Sequence, residues 1–415
     1  MATISPTSDF VPSPAAATPA GVRVRDPRLD FYRGIAMFII LIAHIPSNAW
    51  SSWIPARFGW SDATEIFVFC SGMASAIAFG GAFERMGWRM GSARVGFRVW
   101  QVYWAHIGLF FFVAMMMAAL DTYGAFDKSY VNSLNLGRFF TDPTTQIVGI
   151  FTLTYVPNYF DILPMYLVVL ALMPLFMALS RGGVAPVAAA SIALWLAANI
   201  GLLSLPAESW SDRPWFFNPF GWQLLFFTGF AFMRGWIPAP PVSRRLVWIA
   251  AAFLVLTAPF GSWKVFQWIN AASPETGALL RNVWTMFATL EKETGFSLRA
   301  KTEFGILRYL HFLSLAYLAW VAAGEGGRRL QATGAGLAAE IWRSLLKIIT
   351  KVGQQSLAVF VFSMAVARLL GFALDQLGRS PATILLVNLA GFAMIIAVAY
   401  IAAWFKSQPW RSKRA

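Results

Sequence analysis

Long stretches without charge restrict this chain more than any other feature. Residues 162–180 carry no charged side chain, and neither do residues 382–405. An apolar segment of about 20 residues spans the hydrocarbon of a bilayer as an α-helix, which satisfies its backbone hydrogen bonds internally. Barrel strands alternate in pieces of about ten residues, so unbroken runs exclude a transmembrane barrel. Across all 415 residues, 58% are hydrophobic and only 13% charged. The expected fold is all-α, a polytopic integral membrane helix bundle of about ten spans. They fall near residues 30–50, 62–82, 97–120, 160–180, 184–204, 217–236, 245–262, 304–323, 352–373 and 382–405.

A net charge of +14 would suggest nucleic acid in a soluble chain, but here its distribution matters more. The larger share of Lys and Arg falls in alternate connections, including Arg85, Arg89, Arg94 and Arg98, then Arg328, Arg329, Arg343, Lys347 and Lys351. Cytoplasmic loops carry such an excess, so both termini are expected in the cytosol and no nucleic acid is expected as partner. The lipid bilayer is the expected surrounding. Residues 1–22 contain no Lys or Arg and are rich in Pro, Ala, Ser and Thr; they lack the pattern of a signal peptide and read as a disordered cytosolic tail. Residues 23–405 read as one transmembrane domain and 406–415 as a basic cytosolic tail. Two longer outer segments, 121–159 and 263–303, are where an extracytoplasmic partner is expected, and the stretch 146–157 is too short to span.

The single cysteine, Cys70, excludes an internal disulfide and a cysteine-based metal site, and reads as a small packing residue. His44, His106 and His311 are far apart and lack metal spacing. Arg33 and His44 are eleven residues apart, which on an α-helix returns them to within about 20° of one face, about 16 Å apart along the axis. Ionisable groups inside a span usually face the bundle interior or a wet cavity. Imidazole titrates near neutrality, so His44 is a candidate general base. Arg33 alone also reads as a snorkelling anchor. Asp62 and Glu65, three apart on one helical face, either orient that imidazole or sit in the first turn to meet the helix dipole. His106 reads as a hydrogen-bonded structural residue. Arg308 and His311 share a face of the eighth span, as helpers at the site or with Arg308 ion-paired to Asp161.

The sequence Leu29-Asp30-Phe31-Tyr32-Arg33-Gly34-Ile35-Ala36 with His44, and the second-span stretch Phe67-Val68-Phe69-Cys70-Ser71-Gly72, resemble the acyltransferase type 3 superfamily. Within it the chain is most similar to the OpgC family, through His44-Ile45-Pro46-Ser47-Asn48, Asp161-Ile162-Leu163-Pro164-Met165-Tyr166, Asn218-Pro219-Phe220-Gly221-Trp222 and Gly353-Gln354-Gln355-Ser356. That resemblance implies a multi-pass enzyme of the bacterial inner membrane. It implies transfer of succinyl groups from cytosolic succinyl-CoA to osmoregulated periplasmic glucans, with no permanently bound cofactor. His44 matches the essential histidine, and Arg33 the arginine that binds the acyl donor. Ala43 stands where many such sequences carry an acidic residue, which passes the polarising role to Asp62 or Glu65.

Such chemistry needs cations for the donor's phosphates, and Arg28, Arg33, Arg94 and Arg98 are candidates. Ser47, Asn48 or Arg308 would serve as oxyanion donors, and Arg308 also as the cation for the free succinyl carboxylate. With Asp161 and His311 these make up the expected substrate site. An O-acetyltransferase of another surface polysaccharide, and a glycan or organic-anion transporter, remain the alternatives. Oligomeric state is left open.

Overall fold

The computed structural model describes residues 26–124 and 127–411. The tail expected over 1–22, Arg23 and Arg25, and the last residues of the basic tail lie outside the described residues. Among those described, the chain is helical, with no β-strand. Its α-helices are α1 (Pro27–His44), α2 (Ala63–Ser75), α3 (Gly81–Tyr123), α4 (Gly137–Thr141), α5 (Pro143–Thr152), α6 (Ile162–Leu179), α7 (Val184–Asn199), α8 (Pro219–Arg234), α9 (Arg244–Gly261), α10 (Trp263–Ala272), α11 (Pro274–Thr294), α12 (Ile306–Ala323), α13 (Leu337–Gln354), α14 (Ser356–Leu377) and α15 (Pro381–Ser407). Each expected span falls on a helix. By length and composition, six helical segments among the described residues are apolar enough to cross a membrane; α1, α7 and α8 are shorter or more charged.

Two differences from the expected layout have physical causes. The second and third spans run together through a π-helical turn at Ala76–Gly80. The connection expected between them is a helical hairpin that reverses at Gly87, with φ 75° and ψ 173°, a conformation essentially restricted to glycine. The other difference is α13, expected only as a basic connection. Its exposed apolar side chains Leu337, Ile341 and Leu345 lie on a different face from Arg343, Lys347 and Lys351, the pattern of a helix lying along an interface. The outer segments likewise hold helices, α4 with α5 and α10 with α11.

Small residues allow close helix crossings. α13 packs against α1, where a Cβ on Gly353 would meet the Asp30 carbonyl and a Cβ on Gly34 the Ile349 carbonyl. Without side chains there, two helix backbones approach closely, as membrane bundles favour. α2 packs on α8, α3 on α6 and α14 on α15. Arg28 donates to the Gly324 carbonyl at 3.1 Å, so the start of α1 and the end of α12 share one end of the bundle. At the opposite end the finish of α1 meets the starts of α2 and α6.

Cys70 is buried, as a packing residue should be. His106 departs from expectation: it is 0% exposed, and neither ring nitrogen has a hydrogen-bond partner among the described residues. An unsatisfied buried donor costs about 1–3 kcal/mol. His106→Leu is therefore expected to leave the thermal unfolding midpoint in detergent unchanged or higher; a clear fall would show that the imidazole has a partner.

Candidate active site

α1 stops at His44 because Pro46 disfavours helical backbone at Ile45, which is extended with φ −72° and ψ 114°. His44 therefore ends its helix, where its ring lines a cavity of about 440 Å³. Asp62, Tyr159, Asp161 and Lys301 line the same space, with Arg57 and Ser51. Ile40, Phe67, Phe360 and Met364 form its apolar wall. Segments expected in different outer connections thus converge on one chamber.

Nδ1 of His44 lies 2.7 Å from the Ile40 carbonyl oxygen. A carbonyl only accepts, so the proton of the neutral ring is assigned to Nδ1 and Nε2 keeps the lone pair. The backbone thus orients the imidazole, and no hydrogen bond joins Asp62 or Glu65 to the ring among the described residues. Asp62 instead caps α2 by accepting from the Thr64 N–H at 2.5 Å, and it pairs with Lys301. Glu65 closes the capping box, accepting from the Asp62 N–H at 2.8 Å.

The Glu65 side chain is 0% exposed and pairs with Arg308 at 2.7 Å. Arg308 also donates to the Trp60 carbonyl, and Nδ1 of His311 lies 2.7 Å from the Ser61 hydroxyl. These four side chains brace the start of α2 against α12. Arg308 does not pair with Asp161, whose carboxylate accepts from the Phe216 N–H at 3.4 Å; the expected Arg308–Asp161 ion pair is corrected. Nor do Arg308, Asn48 and Ser47 line the cavity as oxyanion donors. Asn48 is buried in a reciprocal amide pair with Asn388, at 2.9 and 3.1 Å, and Ser47 is exposed.

Two residues at the site carried little sequence signal. Lys301 lies in a turn over residues 301–304 held by its neighbours: Trp222 donates to the Lys301 carbonyl at 2.8 Å, Asn199 to that of Glu303 at 3.0 Å, and Trp195 to that of Phe304 at 2.8 Å. Nearby, Glu291 accepts from the Leu298 and Arg299 N–H groups at 3.0 Å each. Burial raises the Glu291 pKa, but the Arg299 hydrogen bond and charge, with those N–H groups, hold it below its ordinary value. Tyr159 adopts φ 91°, a strained conformation for a bulky side chain. Its ring meets His44 edge-on at 5.4 Å, its hydroxyl donates to the Met364 carbonyl, and the Arg368 guanidinium lies 3.9 Å from the ring centre.

Arg33 occupies the other end of α1, where it donates to the Ser356 hydroxyl. Along the stripe it shares with His44, the cavity reaches Ile40, while Met37 is fully buried. Arg33 is not among the residues that line this cavity. The other candidate phosphate ligands are dispersed. Arg28 pairs with Asp26 at 2.6 Å, Arg98 donates to Gln101 at 3.1 Å, and Arg94 is exposed.

Comparison with known protein families matches the family described as OpgC protein over residues 25–407. No curated protein and no solved structure matches the chain.

Removing one partner of a buried ion pair strands the other and typically costs about 3–5 kcal/mol, whereas replacing both with apolar groups costs far less. Glu65→Leu is expected to lower the thermal midpoint sharply, and the double variant Glu65→Leu with Arg308→Met to recover part of the loss. Strictly additive losses in this double-mutant cycle would contradict a coupled pair.

Proposed function

The chain belongs to the OpgC protein family, and on that premise we propose that it transfers succinyl groups from succinyl-CoA to hydroxyls of osmoregulated periplasmic glucans across the bacterial inner membrane. In this reading ten spans place both termini in the cytosol and the His44 chamber toward the periplasm. The observation that carries the chemistry is the His44 ring, held by the Ile40 carbonyl through Nδ1 while it lines the chamber. Nε2 accepts the proton of a glucan hydroxyl as that oxygen attacks the thioester carbonyl. The tetrahedral intermediate then collapses by breaking the carbon–sulfur bond. CoA leaves as the thiolate, and the imidazolium returns the proton to it.

Lys301 suits the free carboxylate of a succinyl group. It is the cation at the chamber wall that pairs with Asp62, and an ammonium has three donors, enough to share between two carboxylates. Arg57 adds a second cation to the lining. An acetyl group has no carboxylate to meet them, and this favours the succinyl reading over acetyl transfer. The donor arm, arriving from the Arg33 end, must displace Met37, whose unbranched side chain repacks readily.

The test uses the full chain in proteoliposomes, with glucan inside and radiolabelled succinyl-CoA or acetyl-CoA outside. His44→Ala is expected to slow succinyl transfer by at least about a hundredfold. Lys301→Met is expected to lower kcat/KM for succinyl-CoA relative to acetyl-CoA by about ten- to a hundredfold, as for loss of a hydrogen bond to a charged group. Label on the glucan at the unsubstituted rate with His44→Ala, or equal losses for both donors with Lys301→Met, would contradict these roles.

A further inference from the structure

The amphipathic helix α13 borders a surface groove of about 500 Å³ that the chemistry above does not use. Arg343, Lys347 and Lys351 line it at four-residue spacing, with Gln331, Thr350 and Gln354. Arg343 donates to the Gly334 carbonyl at 2.8 Å, and the Lys351 ammonium lies 5.9 Å from the Tyr400 ring centre. No carboxylate pairs with any of these three cations among the described residues. Like charges at i, i+4 on a helix repel, and a bound anion relieves that repulsion.

The groove lies at the Arg33 end of α1. Gly353, beside the groove residue Gln354, packs on Asp30 and Gly34, and Ser356 accepts from Arg33. We infer that this groove binds the phosphate-bearing nucleotide of the acyl-CoA donor, with Arg343, Lys347 and Lys351 on the phosphates and the amide and hydroxyl side chains on the base and ribose. The acyl arm then runs past Arg33 toward the chamber. This inference rests on the acyl-CoA reading above and moves the main phosphate contacts from Arg94 and Arg98 to α13. Arg343 and Lys347 are exposed, as a site for a water-soluble ligand requires. An anionic lipid headgroup offers the same phosphate chemistry, because the exposed apolar stripe of α13 sets the groove near lipid; the two amide side chains favour the nucleotide.

The experiment measures CoA and pantetheine binding to the full chain in nanodiscs of phosphatidylcholine, with and without phosphatidylglycerol. The double variant Arg343→Gln with Lys347→Gln is expected to bind CoA at least tenfold more weakly, with its thermal midpoint unchanged and its weak binding of pantetheine unaltered. In the unsubstituted protein CoA, but not pantetheine, is expected to shield Lys347 from an amine-reactive reagent, a readout that stands even if the variant misfolds. Equal CoA affinity in variant and parent would overturn the inference, as would Lys347 left unshielded by CoA. Loss of CoA binding when phosphatidylglycerol is present, with retention of that lipid dependent on Arg343 and Lys347, would assign the groove to a headgroup instead. If groove-dependent CoA binding holds but no succinyl reaches the glucan, the proposed reaction fails and the groove stands. Succinyl transfer with unchanged CoA binding in the variant removes the groove and leaves the reaction.

Discussion

The hydrogen bond from the His44 ring to the Ile40 carbonyl is the interaction on which the rest depends. It joins a residue to the preceding turn of its own helix, so it survives small movements of the surrounding bundle. Its chemical consequence is a choice of tautomer. With Nδ1 committed to a carbonyl, the lone pair of the neutral ring resides on Nε2. A base of this kind needs no neighbouring carboxylate to set its orientation, and the nearby carboxylates are engaged elsewhere: Asp62 with Lys301, and Glu65 with Arg308.

Charge burial at the start of α2 is balanced by pairing. The buried acid at the start of α2 has a cationic partner on α12, and each also receives or gives a backbone hydrogen bond. Buried polar networks of this kind rigidify their surroundings, and here this one joins the end of α2 that faces the chamber to α12. The strained Tyr159 fits the same view, since such conformations persist only where neighbours over-determine them; its hydroxyl, its ring and the stacked Arg368 are all engaged.

Much of the fold was legible in hydropathy, because a helix that meets lipid must be apolar along a whole span. The positions of α6, α9, α12, α14 and α15 followed from that alone. α13 was not legible this way, since an interfacial helix is only half apolar and its basic face reads as a loop. His44 was legible through its spacing from Arg33, and α1 is indeed continuous between them. The partners of Asp62, Glu65 and Arg308 were not, because they lie on segments more than 200 residues apart in sequence, and spacing along one helix says nothing about such contacts. Lys301 carried no signal beyond its charge; its place depends on donors from Trp195, Asn199 and Trp222, each of which also reads as an ordinary membrane-protein residue.

The tautomer of His44 tests the central claim most directly. With ¹⁵N-histidine in the full chain, and His106 and His311 substituted in turn to assign signals, the neutral His44 ring should show a protonated Nδ1 and a bare, pyridine-like Nε2. A neutral ring protonated at Nε2 would contradict the assignment and remove the proposed base.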